Sequence, residues 1–273
     1  SADFVFSHYK NELTKLTDVE TDFYQGSGYR EKYYTRTQTG HAFPEFFGYI
    51  VEGIFQSDEE AAAWAPAFGA NGTYNKAGHF KYRDVSGPNG TPDNVIDAYD
   101  RTYIGSPHPD FTAGLSLNFG YKGFSVMTTL YASVGNELVN YVSRFIDYTQ
   151  FASGKSTRRL YESWGSPYLA NNADATMPKI YANDTPHQEP STEFLEDGSF
   201  LRMKTLRVGY DLNRILNNKF SSLQVYFQGS NLFTLTKYPG LDPEIAGAGI
   251  NMGIDSGAWP TSRQFLFGIS FGL

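Results

Sequence analysis

Trp64, Tyr74, Trp164, Tyr168 and Trp259 lie in stretches rich in Gly, Pro, Asn and Tyr, where an aromatic face is free to stack on a sugar ring. Residues of this kind also pack loops together or meet a protein partner, because Trp and Tyr are enriched at interfaces. Covalent chemistry has less to work with. His8, His41, His79, His108 and His187 are scattered, with no His-x-x-x-His pair for zinc. Cysteine is absent, which removes disulfides, thiol catalysis and thiolate metal sites. No Gly-rich phosphate loop and no nucleophile elbow occur. Carboxylates are plentiful, yet a glycosidase needs two at a defined separation, and no spacing across loops establishes one. An enzyme is not expected. The net charge of −7 leaves no basic stripe for phosphates, so nucleic acid is not an expected partner either.

The elements that must carry these residues are strands. Aromatics make up 16% of the 273 residues and charged residues only 19%, a balance that favours strands and elaborate loops over a helical bundle. In the segment Arg263 to Leu273, Phe265, Phe267, Ile269, Phe271 and Leu273 form one row, and Gly268, Ser270 and Gly272 form the other, with Leu266 as the exception. Side chains alternate faces along a strand, so one face is apolar and the other small and bare. Phe111 to Tyr121 and Phe124 to Val134 alternate as well, and only Lys122-Gly123 separates them, which predicts a hairpin with a tight turn. Leu223, Val225, Phe227 and Phe233 alternate with Gln224, Tyr226, Gln228 and Ser230. Leu206, Val208, Tyr210 and Leu212 alternate with Thr205, Arg207, Gly209 and Asp211. That run loses phase at Lys204, where Leu201 and Met203 take the other face, and a bulge or emergence from a bilayer would explain it. Phe4 to Asn11 is a weaker strand. Ser57-Asp-Glu-Glu-Ala-Ala-Ala-Trp64 breaks the pattern with a capping Ser and early acids, and predicts a short helix.

The connections are lopsided. Those after Tyr121 and around Asn217-Asn218-Lys219 are short, whereas residues 12–109, 140–199 and 234–262 form long loops. Short turns alternating with long outer loops are the habit of outer-membrane barrels. The expected fold is therefore all-β: about six C-terminal strands of a large antiparallel transmembrane barrel with long extracellular loops. Six strands do not close a barrel, since about eight is the practical minimum, so further strands are expected N-terminal to this segment. A soluble extracellular β-sandwich that binds carbohydrate and a passive porin are the alternative readings. Gln224, Tyr226, Gln228, Ser116 and Asn118 are expected to face the lumen, lining a transport path or meeting a plug.

Several blocks, in order along nearly the whole chain, carry a likeness to a known family. They include Phe47-Gly-Tyr-Ile-Val-Glu-Gly-Ile-Phe55, Lys81-Tyr-Arg-Asp-Val85, Ile104-Gly-Ser-Pro-His-Pro-Asp-Phe111 and Asp197-Gly-Ser-Phe-Leu-Arg-Met-Lys204. Gly229-Ser-Asn-Leu-Phe-Thr-Leu-Thr-Lys-Tyr238, Gly240-Leu-Asp-Pro-Glu244 and Pro260-Thr-Ser-Arg-Gln-Phe265 complete them. With these blocks the chain resembles the C-terminal part of the SusC/RagA-type TonB-dependent outer-membrane transporters of the Bacteroidota. The resemblance implies a 22-stranded plugged barrel in the outer membrane, a SusD-like surface lipoprotein as lid, TonB as energy source through the missing N-terminal part, and oligosaccharide or peptide substrates. It implies that Gly268, Phe271 and Leu273 belong to a terminal signal for barrel assembly. It also implies an EF-hand-like loop around Asp84, in which Asp84, Ser86, Asp93, Asp97 and Asp100 are the candidate oxygen ligands for Ca²⁺. Ser86 departs from the usual Asn there, and Gly87-Pro-Asn-Gly-Thr-Pro92 lengthens the loop. The alternative for these acids is an outer loop held by Asx-turns. No other cofactor is implied.

Overall fold

Six strands follow one another in a single antiparallel meander. The computed structural model describes residues 1–16, 23–25, 32–149, 154–182, 184–216, 221–245 and 247–272. The strands are β1 (Ala2–Ser7), β2 (Phe111–Tyr121), β3 (Phe124–Val134), β4 (Phe200–Asp211), β5 (Ser222–Ser230) and β6 (Gln264–Gly272). Each pairs with its neighbours in the chain, in the order β1-β2-β3-β4-β5-β6. At about 3.3 Å per residue, the 11 residues of β2 or β3 reach about 36 Å, enough to cross a hydrocarbon core of about 30 Å at a tilt. The Lys122-Gly123 turn has positive φ at both positions, 45° and 92°, as a two-residue hairpin with the right twist requires.

Several strand ends differ from those the sequence predicts. β1 stops at Ser7 rather than Asn11. Leu212 leaves its row because the Asp211 side chain accepts a hydrogen bond from Asn213 N (3.0 Å) and starts a 3-10 turn. Phe233 is not part of β5, since the chain turns at Asn231 (φ 53°) and resumes as a short strand, Thr234–Thr236, on the upper part of β4. Leu273 and the predicted turn at residues 217–219 lie outside the described residues.

The register gathers one apolar face. Phe4 lies opposite Leu115, Leu115 opposite Leu130, and Leu130 opposite Met203. Lower down, Val126, Val208, Phe227 and Phe267 form one cross-strand row. The face is bare, with Phe267 80% and Ile269 71% exposed. The phase change at Lys204 is a bulge. Thr205 pairs with Thr129 and Met203 with Leu130, leaving Lys204 without an opposite residue. The extra residue returns Leu201 and Met203 to the apolar side.

The buried core belongs to the long loops, which fold into a cap. One cluster holds Tyr34, Phe46, Val139, Tyr141, Tyr148 and Phe194; a second holds Tyr49, Ile54, Phe80, Tyr82 and Ile96. Short strands frame them. Thr35–Gln38, Glu45–Gly48 and Thr102–Gly105 lie side by side, and Glu137–Asn140 pairs both with Leu195–Asp197 and, in parallel, with Ile254–Asp255. The predicted helix is present as α1 (Asp58–Ala63), where Ser57 Oγ accepts the Glu60 N–H (3.1 Å).

The bulge makes a paired prediction. Deleting Lys204 leaves Met203 opposite Leu130 and preserves the apolar face. Deleting Met203 instead moves Lys204 onto that face, at a cost of about 2–4 kcal/mol near a bilayer midplane and less toward its surface. Heat-modifiable gel mobility of the membrane-inserted protein should show normal assembly for the first deletion and loss of assembly for the second.

Candidate functional site

The face opposite the apolar rows is polar and thinly covered. Gln224, Tyr226 and Gln228 on β5 share it with Ser116 and Asn118 on β2, as their alternation predicts. Ser116 and Thr129 hydroxyls lie 3.4 Å apart across the β2–β3 pair. The Arg207 guanidinium stands 4.0 Å over the Tyr226 ring and donates to Gln224 Oε1 (3.2 Å), while Gln224 Nε2 donates to Ser125 Oγ (3.1 Å). Tyr226 lies flat because its neighbour on β6 is Gly268, where a Cβ would fall 2.4 Å from Tyr226 Cζ. The small residues of the terminal strand are thus the floor on which a cationic and aromatic inner surface rests.

Above the bulge an ion network joins this wall to the cap. Arg202 is 3% exposed on the inner row, opposite Tyr131. Its guanidinium donates to Asp242 Oδ1 (2.5 Å), Glu244 Oε2 (2.5 Å), Thr261 Oγ1 (3.1 Å) and Thr234 Oγ1 (2.8 Å). Asp242 also accepts the backbone N–H of Thr261 (2.8 Å) and of Glu244 (2.9 Å). Lys204, displaced by the bulge, donates to both oxygens of Glu244. Burial opposes ionisation of Asp242, but the bonds from Arg202, Thr261 and Glu244 outweigh it and hold the carboxyl below its usual range. The segments 240–245 and 260–262 are therefore fastened to β4 by buried charge-assisted bonds. The sequence offers one local signal, the Arg-Met-Lys run at the phase change, and nothing that pairs it with Asp242.

Beside this network a cleft of about 330 Å³ opens between wall and cap. Tyr131 and Ser133 of β3 and Phe200 of β4 line one side, and Glu244, Ile245 and Met252 the other.

The aromatic candidates divide. Trp64, Tyr74 and Trp164 pack within the cap. Trp64 meets Phe55 edge-on at 6.2 Å, Tyr74 meets Phe68 at 5.4 Å, and Trp164 lies against the second core cluster and donates from Nε1 to Gln56 Oε1 (3.0 Å). Tyr168 pairs with Tyr161 at the surface, and Trp259 is 96% exposed, so these two stay open to contact. His79 is a packing ring. Burial, then His187, Lys76 and Lys179, push it down to about 3, and it packs at a tilt against Tyr181 with the rings 4.3 Å apart.

The acidic loop spends most of its carboxylate oxygens on its own backbone. Asp100, fully buried, accepts from Val85 N (2.7 Å) and Ser86 N with one oxygen and from Asp97 N (2.8 Å) with the other. Asp97 caps Tyr99 N, Asp93 accepts from Val95 N, and Asp84 accepts from Asn94 N. Among the described residues no group of three or more His, Asp or Glu side chains is placed to hold a metal ion, and Asp84 Oδ1 is buried without a hydrogen-bond partner. Gly268 and Phe271, the described members of the expected assembly signal, sit on the inner and apolar faces of β6.

Replacing Arg202 with Met strands Asp242 without its cation, and removing one partner of a buried ion pair costs about 3–5 kcal/mol. Hydrogen exchange should show segments 240–245 and 260–262 losing protection while β2 and β3 keep theirs. The pH dependence has a definite sign. A carboxyl whose folded value is depressed stabilises the fold above its unfolded value and loses that contribution as pH falls through the folded one. The fastening should therefore hold at neutral pH and release only in acid below the usual carboxylate range, as read by the same exchange measurement.

No family model matches the chain. Over 99% of its length it is 30% identical to the TonB-dependent receptor P3 of Formosa agariphila, and over 95% it is 27% identical to the TonB-dependent receptor SusC of Bacteroides thetaiotaomicron. A solved structure of the RagAB peptide importer in its open-open state superposes on the whole chain with a TM-score of 0.72 at 24% identity. The chain spans about a quarter of the length of each, 26%, 23% and 26% respectively. Its strands have the fold of a TonB-dependent transporter barrel, and along nearly its whole length the chain is related to a segment of the SusC/RagA-type TonB-dependent receptors.

Proposed function

We propose that this chain forms part of the wall and outer cap of a TonB-dependent importer in the outer membrane, one that takes up oligosaccharides or peptides together with a SusD-like surface lipoprotein. The observation that carries the reading is the opposition of two faces on one sheet. The outward rows are apolar and bare, and the inward rows are polar, floored by glycine, and joined to a folded cap. A bilayer covers the first without leaving a backbone group unpaired, provided the sheet closes into a barrel. β1 and β6 each have a partner on one side only among the described strands, so the arc contributes six strands to a larger ring. A soluble sandwich would need a second layer over Phe267 and Ile269, and both are open.

In this reading the segment does no chemistry. The wall residues Arg207, Tyr226 and Gln224 meet the plug or the passing substrate. The cap, with Tyr168 and Trp259 exposed, meets the lid protein. Energy from TonB acts on parts of the transporter outside this segment.

Uptake by cells expressing the full-length protein tests the class. Import of a labelled oligosaccharide pool or a labelled peptide pool should disappear when TonB is deleted. Import that persists without TonB would favour a passive porin. The protein should also stay with carbonate-washed membranes and require detergent for release.

A further inference from the structure

Inner-row side chains and cap residues together enclose the cleft between wall and cap, and its lining discriminates between the two substrate classes. Its volume of about 330 Å³ is at the small end of ligand pockets, the size for one residue or one ring rather than an extended chain. Leu138, Phe200, Ile245 and Met252 are the larger apolar residues in its lining. The polar groups in the lining are mostly committed elsewhere. The Tyr9 hydroxyl bonds His108 Nδ1 (3.0 Å), the Ser133 hydroxyl donates to Asn136 Oδ1 (2.8 Å), and Glu244 holds Arg202 and Lys204. A sugar ring buried here would bring several hydroxyls, each needing a partner. An apolar side chain brings none.

Charge points the same way. Glu244 is the only Asp, Glu, Lys, Arg or His among the described lining residues, and its carboxylate is held by Lys204 at both oxygens and by Arg202 at Oε2. Its charge is therefore matched inside the network, and neither oxygen is free of a cation. Lys204 and Arg202 stand behind Glu244 and fix its position, with Lys204 over the Tyr131 ring at 5.5 Å and Arg202 over the Phe200 ring at 5.5 Å.

We propose that this cleft is a specificity pocket for an apolar side chain of an imported peptide. The proposal rests on the importer reading above and chooses peptide over oligosaccharide within it. Ile245 and Met252 then set which side chains are accepted, and the ion network on Arg202 keeps the pocket wall in place.

Direct binding to the purified full-length protein tests this independently of TonB, using labelled synthetic peptides of equal length and a neutral oligosaccharide. Peptides bearing Leu or Phe should bind about tenfold or more tighter than peptides of Ser and Gly, a ratio typical of filling an apolar pocket. Ile245→Trp, which fills the cleft, should abolish that preference and leave Ser/Gly peptide binding as it was. Met252→Ala, which widens it, should shift the preference toward Phe, and this second variant keeps the test readable if the first fails to fold. Binding of the oligosaccharide alone, or a peptide preference that neither variant changes, would overturn the proposal. Because binding is the readout, a TonB-independent uptake result would sink the importer reading without deciding this one.

Discussion

A side chain on a β-strand changes face at every residue, and the outward rows of six strands here must remain apolar together. One slip of register would exchange the whole set on a strand for its polar partners. The chain meets this constraint at its hardest point with an added residue. Below Lys204 the apolar phase of β4 runs through Leu206 and Val208, and above it through Leu201 and Met203, out of step by one. The bulge absorbs the difference, and the spare residue is put to use: Lys204 reaches Glu244 and helps fasten the cap. The same irregularity thus protects the membrane face and builds the junction behind it.

The two faces of the terminal strand show a similar economy. Phe265, Phe267, Ile269 and Phe271 are exposed on one side, where a bilayer would cover them. Gly268 on the other side lets Tyr226 lie flat, and Tyr226 in turn carries Arg207. A larger residue at Gly268 would leave the apolar row untouched and still rearrange the inner surface. Wall stability and inner-surface shape are thus encoded in alternate positions of a single strand.

How much of this is legible in the sequence depends on the range of the interactions. β2, β3, β5 and β6 are legible because a two-residue period is local, and α1 because Ser57 caps it three residues before Glu60. The phase change at Lys204 is visible, though not which of its two explanations holds. The cap is another matter. Its strands are two to four residues long, too short to show a period, and Glu137–Asn140 finds its parallel partner at Ile254–Asp255, more than a hundred residues on. Arg202 looks ordinary because its partners lie 32, 40, 42 and 59 residues downstream. The acidic loop suggests a cation by residue type; its geometry gives most of those oxygens to backbone amides and leaves Asp84 Oδ1 buried without a partner. Among the aromatics, type alone cannot separate Trp164, packed on the cap core, from Trp259, which stands free.

The central claim is that successive residues of β6 face lipid and lumen in turn. Site-directed spin labels, placed one at a time from Gln264 to Gly272 in the full-length protein reconstituted in bilayers, test it directly. Collision rates with oxygen should be high at positions 265, 267, 269 and 271 and low at the positions between, with the opposite alternation for a water-soluble nickel chelate. Equal access of the chelate to both sets of positions would contradict the account.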